Sequence, residues 1–247
     1  FLVMLLIPNF KKLKWNWIAF GGDIYDKSDF NIDVSILKKV FYNLKACQIR
    51  NMGYFTTLTA GDYRYIMKNY KANGKNYVIL YGNPQNLYLA IINNLNKNSG
   101  NKLKKYKNSA IKILIGNSAT KENQHEEVLY ILSKYANENI EIFVPLSYGD
   151  MSYKINIQDL GHKIFGEKFH AITDFMAYKD YVSFLNSIDI GIFNNNRQQA
   201  LGNLYLLNGL GKKVFIRKDT SMWEHFHNKL GLKIFPVESI INLSFDE

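Results

Sequence analysis

The sequence predicts an α/β protein made of two domains, each a parallel sheet with helices on both faces, the first domain incomplete. Three observations carry this. Short apolar runs alternate with segments of helical period along most of the chain. The alternation stops in a stretch rich in Asn, Lys, Ser and Gly (93–108) and starts afresh at Ile111. Small or turn-forming residues, such as Gly21-Gly22, Gly116 and Pro145, follow the ends of the apolar runs.

In the first half, Trp15 to Phe20 reads as a buried strand closed by Gly21-Gly22, and Ser35 to Lys45 as a helix with Ile36, Val40, Phe41 and Leu44 on one face. Gly53 to Thr57 is a strand, Gly61 to Tyr70 a helix and Tyr77 to Tyr81 a third strand, ended by Gly82-Asn83-Pro84. In the second half, strands are expected at Ile111–Ile115, Ile140–Val144, Phe169–Ile172, Ile188–Phe193, Val214–Ile216 and Ile234–Phe235. Helices are expected between them at Gln124–Tyr135, Tyr153–Leu160, Tyr178–Ser187, Gly202–Leu210 and Ser221–Leu230. The expected domains are therefore 1–95 and 110–247, joined by a linker at 96–109.

A chain of 247 residues that is 47% hydrophobic and 21% charged can bury a sizeable core and is not disordered in composition. The single cysteine, Cys47, excludes an internal disulfide and suits a reducing, cytoplasmic compartment. Phe1 to Ile7 is apolar but far too short to span a bilayer, and lacks the basic segment and cleavage site of a signal peptide. It reads as the end of a buried helix, cut from a larger protein. The net charge of +10 favours anionic partners such as nucleotides or phospholipid surfaces, or is a general surface bias towards Lys. Lys11, Lys12 and Lys14 beside Trp15 and Trp17 form the most membrane-like cluster. Nucleic acid is not expected as a partner, because Phe193, Phe215 and Trp223 follow core periodicity. No metal-ligand spacing, internal repeat or cofactor motif is present.

In parallel sheets, ligands gather at the carboxyl ends of strands, so the loops there are the candidate site. Gly116-Asn117-Ser118-Ala119-Thr120 could bring backbone N–H groups and hydroxyls to an anion, or could simply cap the next helix. His125 could point into the same crevice or lie at the surface. In the next loop, Tyr148 could stack on a base or bond a phosphate. The most informative segment is Phe193 to Asn203, where three asparagines, Arg197, Gln198 and Gln199 precede a helix starting near Ala200 or Gly202. Helix N–H groups, the positive dipole end and one arginine suit a diphosphate. Arg217 to Trp223 could add a cation or serve as a helix cap. In the first half, Asp23 could act as a general base or anchor its own turn.

The order of these loops resembles the bacterial TDP-N-acetylfucosamine:lipid II N-acetylfucosaminyltransferase family, the 4-acetamido-4,6-dideoxygalactose transferases of enterobacterial common antigen assembly. The matching stretches are Trp17 to Tyr25, Ile113 to Ser118 with Asn123 and His125, Val144 to Tyr148, Arg197 to Asn203, Gly211 to Val214, and Trp223. The resemblance implies a GT-B-type glycosyltransferase with two Rossmann-like domains, 1–95 on the acceptor side and 110–247 holding the donor. It implies inverting, metal-independent transfer without a cofactor, from a TDP- or UDP-sugar to a lipid-linked saccharide at the inner face of the plasma membrane. The donor would be held by Gly116, Asn117, Ser118, His125, Tyr148, Arg197, Gln198, Gln199, Gly202 and Asn203, with Asp23 as the catalytic candidate. Against this pattern, the chain begins after the family's first strands and stops before its final helices. A non-catalytic module binding nucleotides or anionic lipid, and a nucleotide-sugar 2-epimerase, are the alternatives.

Overall fold

A computed structural model describes residues 14–25, 36–79 and 109–245. Contacts divide the chain into two compact units, 1–81 and 82–247. The expected helix end at 1–7, Lys11 and Lys12, and all of the 96–109 linker except Ser109 lie outside the described residues.

The first unit holds a three-stranded parallel sheet in the order β1-β2-β3, with β1 at Asn16–Ala19, β2 at Tyr54–Thr57 and β3 at Lys75–Val78. A single helical turn, α1 (Gly21–Ile24), follows β1, while α2 (Ile36–Arg50) and α3 (Ala60–Tyr70) complete the crossovers. Phe55, Ile49, Ile66 and Ile24 are fully buried, and Tyr70 reaches Ile24 O with its hydroxyl at 3.0 Å. Thr59 caps α3 by accepting from Asp62 N, while Asp62 accepts from Thr59 N, so two otherwise orphaned donors are satisfied together. The third strand was expected at 77–81 and pairs instead from Lys75. Lys75 N bonds Gly53 O at 2.8 Å, which starts the ladder two residues before the apolar run.

The second unit is a six-stranded parallel sheet in the order β6-β5-β4-β7-β8-β9. The strands are β4 (Ile111–Ile115), β5 (Ile140–Pro145), β6 (Phe169–Ile172), β7 (Ile190–Phe193), β8 (Lys213–Ile216) and β9 (Phe235–Pro236). Helices α4 (His125–Leu132), α5 (Met151–Phe165), α6 (Tyr178–Ser187) and α7 (Leu201–Gly209) alternate with them. A final turn, α8 (Ser221–Trp223), runs on as a wider π-type turn over Glu224–Lys229. Because β5 and β6 lie on one side of β4 and β7 to β9 on the other, the winding reverses between β4 and β7. That switch point opens a crevice at the carboxyl ends of those two strands.

The central strands are near-continuously apolar because helices cover both faces. Leu114, Ile115, Ile142, Val144, Phe193, Val214 and Ile216 are fully buried, each contributing about 1.5–3 kcal/mol of transfer free energy. Gly161 in α5 lies against the Phe169 ring, where a side chain would collide. Strand β7 was expected from Ile188 and begins at Ile190. The reason is Asp189, whose carboxylate accepts Lys112 N at 3.0 Å while its own N–H bonds Lys112 O at 2.9 Å, so a side chain replaces one rung of the ladder.

Candidate active site

The loop after β4 is set by one glycine. Gly116 has φ +66°, and a Cβ there would collide with His125 Nε2 and lie 2.7 Å from Asn123 Oδ1. Its N–H closes the crevice floor by bonding Ile192 O at 2.9 Å. Asn123, fully buried, then ties the loop together. Its Oδ1 accepts from Asn117 N (3.0 Å) and Asn195 Nδ2 (3.1 Å). Its Nδ2 donates to Ser118 O (3.1 Å) and Thr120 Oγ1 (2.9 Å).

The loop after β5 is locked to the same rim through backbone. Ala119 and Gly149 form a parallel bridge, in which Ala119 N donates to Tyr148 O and Asp150 N to Ala119 O, both at 2.8 Å. Gly149 has φ +124°, and a Cβ there would strike Ala119. This bridge turns the half-exposed Tyr148 towards Asn117, whose Nδ2 donates to the Tyr148 hydroxyl at 3.0 Å.

The polar loop after β7 supplies the other wall. Gln199 Nε2 donates to Ser118 Oγ at 3.0 Å, joining the loops of the two switch-point strands. Asn194 Nδ2 reaches Glu127 Oε2 at 2.8 Å, and Asn196 N reaches Glu122 O at 3.0 Å. Ala200, with φ +58° and no side-chain cap, begins α7, so the first-turn N–H groups around Gly202 and Asn203 are offered to the crevice. Asn203 Nδ2 donates to the partly buried Tyr181 hydroxyl at 2.9 Å, whose pKa desolvation pushes up to about 12.

The structure thus brings Gly116, Asn117, Ser118, Tyr148, Arg197, Gln198, Gln199, Gly202 and Asn203 to the loops at the β4, β5 and β7 ends. Four amide oxygens there are buried without a protein partner: Asn117 Oδ1, Asn195 Oδ1, Gln198 Oε1 and Gln199 Oε1. Leaving a buried acceptor without a donor costs about 1–3 kcal/mol each.

Four expected residues sit differently from the simplest reading. His125 is fully buried behind Gly116 rather than open to the crevice; burial lowers its pKa to about 3, so it is neutral. Tyr153 OH accepts from His125 N (3.3 Å) and lies 3.2 Å from Nδ1, and burial pushes the Tyr153 hydroxyl up to about 12, so it stays protonated beside the neutral imidazole. Arg197 is already paired: its Nε lies 3.4 Å from Glu122 Oε1 and its Nη1 donates to Gln198 O at 3.3 Å. Arg217 likewise lies 2.8 Å from Asp219 and 3.7 Å from Glu127. Asp23 belongs to the first unit, is exposed, and accepts Phe20 N at 3.3 Å, an anchor of its own turn. The carboxylates Glu122 and Glu127, and the bracing Tyr153 and Tyr181, were not singled out from the sequence; their partners are too distant in the chain for spacing to mark them.

Among the described residues no group of three His, Cys, Asp or Glu side chains is placed to hold a metal ion, and no helix is long and apolar enough to cross a membrane.

This architecture recurs in solved glycosyltransferases of GT-B type. WaaG, a glycosyltransferase involved in lipopolysaccharide biosynthesis, superposes with a TM-score of 0.60 at 13% identity, over 92% of this chain and 64% of its own. A UDP-forming α,α-trehalose-phosphate synthase from Burkholderia xenovorans, in complex with glucose-6-phosphate, gives 0.59 at 11% identity over 83% of this chain and 54% of its own. An E. coli trehalose-6-phosphate protein bound to UDP-2-fluoro glucose gives 0.56 at 9% identity, over 90% and 55%. The chain spans about half the length of the trehalose-phosphate synthases it matches. The model of a sequence family, the 4-alpha-L-fucosyltransferases of glycosyl transferase group 56, matches residues 1–242. The chain therefore belongs to the 4-alpha-L-fucosyltransferase family, glycosyl transferase group 56.

Proposed function

We propose that residues 110–247 are the donor domain of a glycosyltransferase that moves a 6-deoxyhexose, an acetamido-dideoxyhexose in the finer reading, from a TDP- or UDP-sugar to a lipid-linked saccharide. The observation that carries this is the gathering, in the loops at the switch point, of four unpartnered amide oxygens and the uncapped start of α7. Such a wall accepts hydrogen bonds from sugar hydroxyls and an acetamido N–H, while the first turn of α7 donates to phosphate oxygens. The family description, a fucosyl transfer, and the sequence resemblance, a 4-acetamido-4,6-dideoxygalactosyl transfer, share the 6-deoxy sugar.

Transfer with inversion needs a base to take the acceptor hydroxyl proton and a charge sink for the departing diphosphate. The N–H groups of α7, with Arg197 turned from Glu122, are the proposed sink, acting as preorganised dipoles rather than through a metal. Asp23 of the first unit is the proposed base, and 1–95 the acceptor-side domain. Transfer to a lipid-linked acceptor would occur at the inner face of the plasma membrane, consistent with a chain of net charge +10.

Thermal-shift titration with TDP, UDP, GDP and their sugars tests the donor assignment. A selective shift with a TDP- or UDP-sugar, lost in Gln199→Ala and Asn117→Ala, is expected; no shift with any nucleotide would overturn it. Transfer by the full-length protein, and its loss in Asp23→Asn, tests the catalytic assignment.

A further inference from the structure

The positive charge of the chain is not spread evenly. In the first unit, residues 14–25 and 36–79 hold nine Lys and Arg and only two acids, Asp23 and Asp62, whereas 109–245 hold 14 of each sign. The donor loops belong to the balanced part, and Arg197 and Arg217 there are both held by carboxylates. Among the described residues, the surplus is the first unit's.

Parallel topology sorts these charges by end. The strands run one way and the crossover helices return, so strand starts and helix ends gather on one side of the sheet. Asn16, Tyr54 and Lys75 are neighbours in the register there. Tyr54 N bonds Trp15 O at 2.9 Å. Arg50, at the end of α2, donates from Nε to Tyr70 O, at the end of α3, at 3.2 Å. Five exposed cations therefore share this end: Lys14 before β1, Arg50 closing α2, Lys68 and Lys71 at the end of α3, and Lys75 opening β3. None of the five is in an ion pair among the described residues. The two acids lie at the other end, where Asp23 follows β1 and Asp62 opens α3.

Helix dipoles explain part of this, since Arg50, Lys68 and Lys71 complement the negative ends of α2 and α3. They do not explain Lys14 and Lys75, which adjoin strands, or the rings beside them. Lys75 Nζ lies 5.3 Å from the Tyr77 ring centre, and Tyr77, 47% exposed, stacks on Tyr54 at 6.3 Å. Trp15 is half-buried next to Lys14. Long cationic side chains around tryptophan and tyrosine suit the headgroup region of a bilayer, where charges meet lipid phosphates and rings lie at the polar boundary. A nucleic acid would find the cations but no free ring for a base, since Lys75 and Tyr54 already take Tyr77. We propose that this end of the first unit docks on an anionic bilayer surface, with Lys14, Arg50, Lys68, Lys71 and Lys75 against lipid phosphates and Trp15 and Tyr77 at the headgroup boundary. This assigns a surface to the membrane location proposed above, and it does not depend on what the donor loops hold.

Sedimentation of the chain with phosphatidylglycerol–phosphatidylcholine vesicles tests it, beside pure phosphatidylcholine vesicles and polarisation titration of a labelled duplex oligonucleotide. Binding to the anionic vesicles is expected, absent with phosphatidylcholine alone and weakened by salt. Lys68→Gln with Lys71→Gln should weaken it about twenty-fold, at roughly five-fold for each cation removed. Lys14→Gln with Lys75→Gln should do the same, and carries the test if the helix pair fails to fold. Lys163→Gln with Lys233→Gln, the same loss of charge at exposed sites on the second unit, should change binding by less than about two-fold. No binding to anionic vesicles, or binding that survives both first-unit pairs, would overturn the proposal. So would an equal loss in the second-unit pair, or tighter binding of the oligonucleotide than of the vesicles. Nucleotide thermal shifts should be the same in all these variants, so failure here is distinct from failure of the donor assignment.

Discussion

Gln199 Nε2 lies 3.0 Å from Ser118 Oγ, and this bond joins two loops that are 81 residues apart in the chain. It spans the point where the sheet reverses its winding, and the Gln199 Oε1 left over is one of the buried oxygens without a partner. Gln199→Leu removes both the brace and the acceptor. Nucleotide-sugar affinity should fall about ten-fold or more, while affinity for the nucleotide alone changes less. Calorimetric titration with the two ligands checks this; equal losses would show that Gln199 meets the nucleotide and not the sugar.

Gly116→Ala should destabilise the second unit by about 2–4 kcal/mol. Left-handed backbone and collision with His125 and Asn123 act together there. Urea unfolding measures it. Gly22→Ala, at a glycine with open space around the added carbon and no left-handed φ, should stay within about 1 kcal/mol of the parent.

Stability should fall on mild acidification. The unfolded His125 imidazole takes its proton near pH 6.5, whereas the buried one takes it only near 3. Between those values the unfolded chain holds the extra proton, so stability is full above 6.5 and declines as the pH drops towards 3. At pH 5 the loss is about 2 kcal/mol. His225, whose pKa is lowered by burial and by Lys229, adds in the same direction. Urea midpoints at pH 7 and pH 5 should differ in the parent and differ less in His125→Gln.

Arg197 is paired with Glu122, and under the proposed donor assignment a diphosphate would compete for it. Glu122→Gln removes the competing carboxylate, so diphosphate-containing ligands should bind a few-fold more tightly. The sugar alone should be indifferent. Weaker nucleotide binding in Glu122→Gln would mean that the ion pair positions Arg197 for the ligand instead of withholding it.

Much of this arrangement is legible in the sequence. Ile111–Ile115, Phe169–Ile172 and Tyr178–Ser187 are found where their periodicity puts them, because each carries its own apolar pattern. The boundaries that moved, at Lys75 and Ile190, were decided by backbone pairing and by the Asp189 carboxylate, which no local pattern encodes. The loops at the strand ends could be marked as candidates from composition, since amide-rich segments after buried strands are unusual. The roles inside them could not. His125 and Asn123 are polar side chains turned inward, and only the tertiary fold shows that one props Gly116 while the other ties the loop after β4 to the loop after β7. The pairing of Arg197 with Glu122 joins residues 75 apart and is equally invisible to spacing.

The Ala119–Gly149 bridge holds the crevice rim by main-chain bonds alone. Under the proposed donor assignment, exchange of Asn117 or Tyr148 would alter which sugar is favoured while leaving this main-chain frame in place. Within that frame the glycines at 116 and 149 have little freedom to drift, since each combines a positive φ with a collision at any added Cβ.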